Sequence, residues 1–292
     1  MVQKILVVSN PVSGKASEAY VAGIIRALES SGYSVEQAET TVDGSVNLNG
    51  KIDAEIVLAI GGDGTIRDVV NNIGIPNYAL AIAPAGTANV FAAEIGQTAN
   101  IDDIVNTIVA DNRVPLNLGY MREEHFSVMA GVGFDADVVH SVNLKWKRRV
   151  GKLAYALAAV KALWRYRPRS FAVTIDGKQY VCEAVIFSNS HFYGGKFICA
   201  ATARVTEPLL HACLITAGNR WDIVKFAIAM VRGRLHQFEN VRFVPGTDFE
   251  ITDPGLSIQC DGDAAGKTPM KCQSYTAPNI QLLIPTNCGR SH

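Results

Sequence analysis

The sequence has no long hydrophobic run, no excess of charge and no paired cysteines, and each absence removes a class of protein. No window reaches the roughly 20 mostly apolar residues of a membrane span. The first apolar stretch, Ile5-Leu6-Val7-Val8, ends at Ser9-Asn10-Pro11. That is too short for the core of a secretory signal. A cytoplasmic protein is therefore expected, with any membrane contact peripheral. Lys+Arg and Asp+Glu both total 27, so no global field draws the chain to nucleic acid. The 6 cysteines include no C-x-x-C pair, which points to reduced, buried thiols rather than disulfides or zinc. Internal repeats and low-complexity tracts are missing too.

What is present is a chain of 292 residues, 48% hydrophobic, long enough for two domains. The first ~115 residues alternate buried strands (4–8, 55–60, 78–83) with helical patterns (17–30, 66–73, 87–95). Such alternation predicts a parallel sheet with helices on both faces. After Val114 strand-like runs dominate: 114–121, 125–132, 170–175, 180–188, 211–216, 241–244, 248–251, 257–260 and 280–284. Turn signals such as Asp176-Gly177 and Asp253-Pro254-Gly255 lie between them, as in an antiparallel β-sandwich. Helical stretches near 148–167 and 220–238 interrupt it, and the second is expected to be core. The expected division is an α/β domain over 1–120 and a sandwich over 121–292, with strand 280–284 returning to the first. No Pro/Gly/Ser-rich linker separates them, which favours a ligand cleft between domains.

The strongest local signal is Gly61-Gly62-Asp63-Gly64-Thr65, between a buried strand and a helix. Glycines let backbone amides crowd a ligand, and a helix N-terminus favours a phosphate. Asp63 would repel phosphates unless Mg²⁺ lies between them. The bland alternative is a glycine turn with Asp63 capping the next helix. Asn10-Pro11-Val12-Ser13-Gly14-Lys15 also joins strand to helix, but without the Walker A spacing. Pro84-Ala85-Gly86-Thr87-Ala88-Asn89 makes a third such loop. All three lie at carboxyl ends of parallel strands, where open α/β sheets bind ligands.

Taken together, these three loops resemble the catalytic domain shared by diacylglycerol kinases, sphingosine kinases and bacterial lipid kinases. The likeness continues through Ala130-Gly131-Val132-Gly133-Phe134-Asp135-Ala136, Tyr193-Gly194-Gly195 and Asp261-Gly262-Asp263. The resemblance implies an NAD-kinase/phosphofructokinase-like nucleotide domain, a C-terminal sandwich, and ATP with Mg²⁺. It implies that residues 61–68 hold the ATP phosphates, that Thr87 and Thr40 hydrogen-bond the nucleotide, and that Asn10 braces the loops. Ser13, Gly14, Gly86 and Asn89 fall in the same motifs.

The Asp261-Gly262-Asp263 turn has two readings. Asp-Gly is a favoured hairpin pair. The resemblance instead implies a catalytic role, because the family carries Asp-Gly-Glu there, with the Glu as base. Asp263 is shorter by about one carbon–carbon bond, ~1.5 Å, and a misplacement of about 1 Å can lower a rate ~100-fold. A rival assignment makes Asp63 the base and Asp263 a nucleotide or metal contact. The family's acidic, Mg²⁺-holding loop corresponds here to Arg204-Val205-Thr206-Glu207-Pro208-Leu209, which leaves Glu207 as a lone candidate ligand.

Residues 145–169 carry nine basic residues, no acidic one, and an apolar stripe of Val150, Leu153, Leu157, Val160 and Trp164. Such a helix suits an anionic membrane surface, or else it packs its stripe on the sandwich. The leading expectation is an ATP-dependent kinase of a lipid hydroxyl, with diacylglycerol or a related lipid as substrate. Its rivals are a soluble-substrate kinase related to NAD kinase and a non-catalytic nucleotide-binding regulator.

Overall fold

A computed structural model describes all residues except 1, 12, 15, 42–43, 49–52, 74–75, 142–151 and 287–292, and only the backbone of residues 47 and 152–157. The chain forms two compact units. One comprises the chain up to Asn117 and from Thr276 on, and the other spans Leu118–Tyr275.

The first unit alternates strand and helix: β1 (Lys4–Ser9), α1 (Glu18–Ser30), β2 (Ser34–Thr40), β3 (Val46–Asn47), β4 (Ile56–Gly61), α2 (Asp63–Asn72), β5 (Tyr78–Pro84), α3 (Val90–Glu94) and α4 (Ile101–Ala110). Strand β1 pairs in parallel with both β2 and β4, and β4 with β5. Every residue of β4 and β5 is buried. Continuous apolar runs are what a parallel strand covered on both faces requires. Ile24 and Leu28 of α1 and Ile104 and Ile108 of α4 pack with Ile5, Val7, Leu58, Ala81 and Leu283 in one core. Helix α4 was not anticipated. Its signal is local: Asn100 accepts the amides of Asp102 and Asp103, whose charges suit a helix start.

The second unit takes in the end of β6 (Arg113–Met121), then β7 (Glu124–Phe126), β8 (Met129–Val132), α5 (Phe134–Ser141), α6 (Lys152–Arg165), β9 (Phe171–Ile175), β10 (Lys178–Cys182), β11 (Ala184–Ser188), β12 (Phe192–Tyr193), β13 (Phe197–Ile198), β14 (Leu210–Ile215), α7 (Arg220–Val231), β15 (Val241–Gly246), β16 (Asp248–Ile251), β17 (Ser257–Cys260) and β18 (Asp263–Lys267). Last comes β19 (Met270–Leu283), which is shared. Its start pairs antiparallel with β16, and Ile280–Leu282 pairs in parallel with β5.

One antiparallel sheet of this unit runs β10-β9-β16-β19, and the other runs β15-β14-β11-β8-β17-β18. Phe171, Val173, Phe249 and Ile251 of the first share a core with Val132, Val185, Phe187 and Ile258 of the second. This is a β-sandwich closed by inward-facing apolar rows.

Three expectations differ from the structure. The run 180–188 divides at Glu183 into β10 and β11, which belong to different sheets. The Glu183 carboxylate accepts from Ser170 Oγ and Ala217 N, anchoring that crossing. The run 125–132 is likewise interrupted between β7 and β8. Helix α7 is not core: only Ile223 and Met230 are fully buried, while Trp221, Ile228 and Val231 are exposed. One stripe of α7 packs inward, and apolarity alone does not say which stripe that is.

Replacing Phe187, fully buried and 5.0 Å from the Phe249 ring, with Ala is expected to lower unfolding free energy by about 3–5 kcal/mol in urea denaturation.

Candidate functional site

The glycine-rich loops of the first unit are built against one another. Backbone pairing continues past the strands, because Asn10 N donates to Ile60 O and Ala85 N to Gly61 O. Ser13 Oγ donates to the Ala85 carbonyl at 2.9 Å, tying the first loop to the third. A Cβ on Gly86 would lie 2.5 Å from the Gly62 Cα, so the second and third loops meet backbone to backbone. A Cβ on Gly61 would lie 2.1 Å from Thr65 Oγ1. These glycines are therefore required for packing. Gly64 and Gly14 differ, since a Cβ on either meets nothing within 4 Å among the described residues.

Asp63 holds this arrangement together. Its Oδ2 accepts from Val90 N at 3.1 Å and its Oδ1 from Phe91 N at 2.9 Å. It thus caps α3, the helix after the neighbouring strand β5, rather than the helix it opens. Asn89, in the left-handed region at φ 50, accepts from Gly86 N and donates to Gly86 O. The N-cap of α2 is Gly62, which has no side chain to offer its amides. Thr40, at the end of β2, is buried, and its hydroxyl has no hydrogen-bond partner among the described residues. Thr87 is exposed on the third loop.

In the second unit the Asp261-Gly262-Asp263 segment is a hairpin. Cys260 pairs with Asp263, and Asp261 and Gly262 between them have φ of 47 and 81. Positive φ at both central residues is what a type I′ turn needs. The strand after the turn, β18, begins at Asp263 itself. The Asp261 carboxylate accepts from Ser127 N, Ser127 Oγ, Val128 N and Met129 N. Those amides are the ones freed where 125–132 breaks, so the carboxylate takes the place of a ladder partner.

Gln259 extends the network. Its Oε1 accepts from Gly262 N at 2.9 Å, and its Nε2 donates to Asp135 Oδ2 at 2.7 Å. Tyr193 donates its hydroxyl to Asp135 Oδ1. Burial pushes the Asp135 carboxyl up from its ordinary value, against the pull of these two hydrogen bonds. Asp263, half-buried at the head of β18, is held by this turn. The loop before β14 is closed by a side-chain cation: Arg204 Nη1 donates to the carbonyls of Ala201 and Ala203. Glu207 is exposed there, and among the described residues no three His, Cys, Asp or Glu side chains gather to hold a metal.

Comparison with known proteins bears on these same segments. Residues 4–121 match the model described as "Diacylglycerol kinase catalytic domain". Residues 127–284 match that described as "YegS C-terminal NAD kinase beta sandwich-like domain".

The chain belongs to the diacylglycerol kinase family.

A diacylglycerol kinase of Staphylococcus haemolyticus is 29% identical, with 90% of this chain and 83% of that protein covered. One of Bacillus subtilis is 24% identical over 90% of each. A crystal structure of a diacylglycerol kinase from Bacillus anthracis superposes with a TM-score of 0.73, covering 97% of this chain and 98% of that one, at 19% identity. At that identity the likeness is one of fold.

A diacylglycerol kinase needs a nucleotide cradle, and the first unit has features that fit one. The α2 N-cap is a glycine with no side chain to cap the helix, Gly64 leaves room for close backbone approach, and the Thr40 hydroxyl has no partner among the described residues. Reading the sequence missed Gln259, Ser127 and the reach of Asp135, because each acts on a residue more than a hundred positions away.

Gly64→Ala is expected to keep or slightly raise the thermal midpoint, since a first-turn Ala meets open space. Gly86→Ala should lower stability by about 1–3 kcal/mol, because a Cβ would press on the Gly62 backbone. Scanning calorimetry distinguishes the two.

Asp135 sets a pH trend. Its raised pKa means that the fold favours the neutral carboxyl. The stability it contributes is complete below the ordinary value of 3.8 and is lost as pH rises through the raised one. Urea denaturation between pH 3 and pH 7 is expected to show Asp135→Asn gaining on the parent as pH rises.

Proposed function

We propose that the protein transfers the γ-phosphoryl group of ATP to the hydroxyl of a lipid, diacylglycerol or a close relative. The observation that carries this reading is the set of interlocked loops after β1, β4 and β5, in a chain of the diacylglycerol kinase family. Residues 61–65 would receive the phosphates on backbone amides, with Gly86, Thr87 and Asn89 beside them and Thr40 donating its hydroxyl. Asn10, Ser13 and Gly14 would complete the cradle. Mg²⁺ would travel with the nucleotide, since Mg²⁺ takes phosphate oxygens and one or two carboxylates rather than a protein cage. It would neutralise charge on the transferring group, and Asp63 in the second loop is the carboxylate proposed to face it.

The acceptor oxygen attacks the γ-phosphorus, the bond to the β-phosphate oxygen breaks, and the hydroxyl proton passes to a carboxylate. Asp263 suits the base, because it stands in the Asp261-Gly262-Asp263 segment where the family carries its Glu base. Asp261 then positions Asp263 rather than taking the proton. Most of the rate comes from alignment and charge neutralisation. Among the described residues no helix is long and apolar enough to cross a membrane. The lipid would be met at a membrane surface.

Mg²⁺-dependent transfer of labelled γ-phosphate to a panel of lipids in mixed micelles tests this. A labelled lipid is expected, with Asp263→Asn reducing the rate by about 10²–10⁴-fold and Gly64→Ala raising the KM for ATP in a folded protein. ATP binding with no transfer to any lipid would overturn the reading.

A further inference from the structure

Helices α6 and α7 leave between them an apolar groove of about 460 Å³, within the range of ligand-sized clefts. Phe134, Val160 and Leu163 form one wall, and Val224, Ile228 and Val231 the other. The apolar surface does not stop at the groove. Trp164, one turn beyond Val160, is 76% exposed, and Trp221, one turn before Val224, is 67% exposed. Val160, Ile228 and Val231 are 56%, 44% and 64% exposed. A patch of this kind on a folded protein marks an interaction surface.

Charge decides the occupant. Lys161, Arg165 and Arg167 on the α6 side, and Arg220, Lys225, Arg232 and Arg234 on the α7 side, are all exposed. Arg232 also lines the groove. The acidic residue of α7, Asp222, accepts from Asn219 N in the capping box and lies 3.9 Å from Lys225. The face is thus apolar at its centre, cationic at its rim, and carries tryptophan on both helices. Tryptophan favours the boundary between headgroups and acyl chains, and Lys and Arg favour anionic headgroups.

We propose that the α6–α7 face seats the enzyme on an anionic lipid bilayer, with Trp164 and Trp221 at the headgroup boundary and the groove against the acyl chains. The proposal rests on the lipid-kinase reading, and it enlarges the expected basic helix into a surface of two helices. The part of that helix at residues 145–151 lies outside the described residues. Helix α7, expected to be core, supplies half of the surface.

The test is co-sedimentation of the full chain, without ATP, with vesicles of phosphatidylglycerol and phosphatidylcholine. Binding is expected to rise with phosphatidylglycerol content and to fall with added salt. The double variant Trp164→Ser/Trp221→Ser, and separately Ile228→Asn, should weaken partition about tenfold or more. Both variants should phosphorylate a dispersed short-chain diacylglycerol within about twofold of the parent, because these exposed positions lie outside the proposed catalytic groups. Undiminished vesicle binding in both variants overturns the proposal, even if lipid phosphorylation proceeds. A dimer that the tryptophan variants dissociate also overturns it, by giving the face to a second copy. Tryptophan-dependent vesicle binding in a chain that phosphorylates no lipid would uphold the surface while removing the kinase reading.

Discussion

The arrangement of the glycine-rich loops depends on one close approach, in which the Gly62 and Gly86 backbones meet with no side chain between them. Parallel pairing delivers the two loops to that point, because Gly61 faces Pro84 at the ends of β4 and β5 and Ala85 N reaches Gly61 O at 2.8 Å. From there each polar group has a constrained partner. Asp63 reaches over to α3, Asn89 folds back on Gly86, and Ser13 closes on Ala85. A side chain at Gly86 would separate the loops and take the capping bonds of Asp63 with them. The three loops are therefore fixed to one another by protein contacts alone, and preorganisation is what the proposed phosphoryl-transfer site requires.

The second unit reaches the same end by a different device. A two-residue turn at the head of β18 would be a minor surface feature if it were not anchored. Asp261 fastens it to the amides of residues 127–129, and Gln259 fastens Gly262 to Asp135. The carboxylate of Asp261 replaces a strand partner, and this is why the run through 125–132 breaks. A buried amide must find an acceptor, and a side chain serves as well as a backbone carbonyl. Asp135 sits at the far end of the network, where burial opposes its charge and Tyr193 and Gln259 support it.

The loop before β14 is held by different chemistry from that which the family resemblance implies. Where the family resemblance implies an acidic, metal-holding segment, Arg204 binds two carbonyls of its own loop. The loop is closed by a covalently attached cation. Glu207 is then left at the surface, without a gathering of oxygen ligands among the described residues.

Much of this was legible in the residues alone. The unbroken apolar runs of β4 and β5 specify parallel strands covered on both faces, and the glycine-bearing loops after them mark the ligand end of the sheet. Asp261-Gly262 specifies a tight hairpin, since few other pairs accept two successive positive φ angles. These features are local, and local sterics and hydrophobic period are written directly in the chain. Tertiary structure decided what each carboxylate does. Asp63 finds its amides 27 and 28 residues on, and Asp261 finds its own more than 130 residues back. It also decided that β10 and β11 enter different sheets, and which stripe of α7 is buried. Residue type sets what bonds a side chain can make, but packing sets which partner comes within 3 Å, and that depends on the whole chain at once.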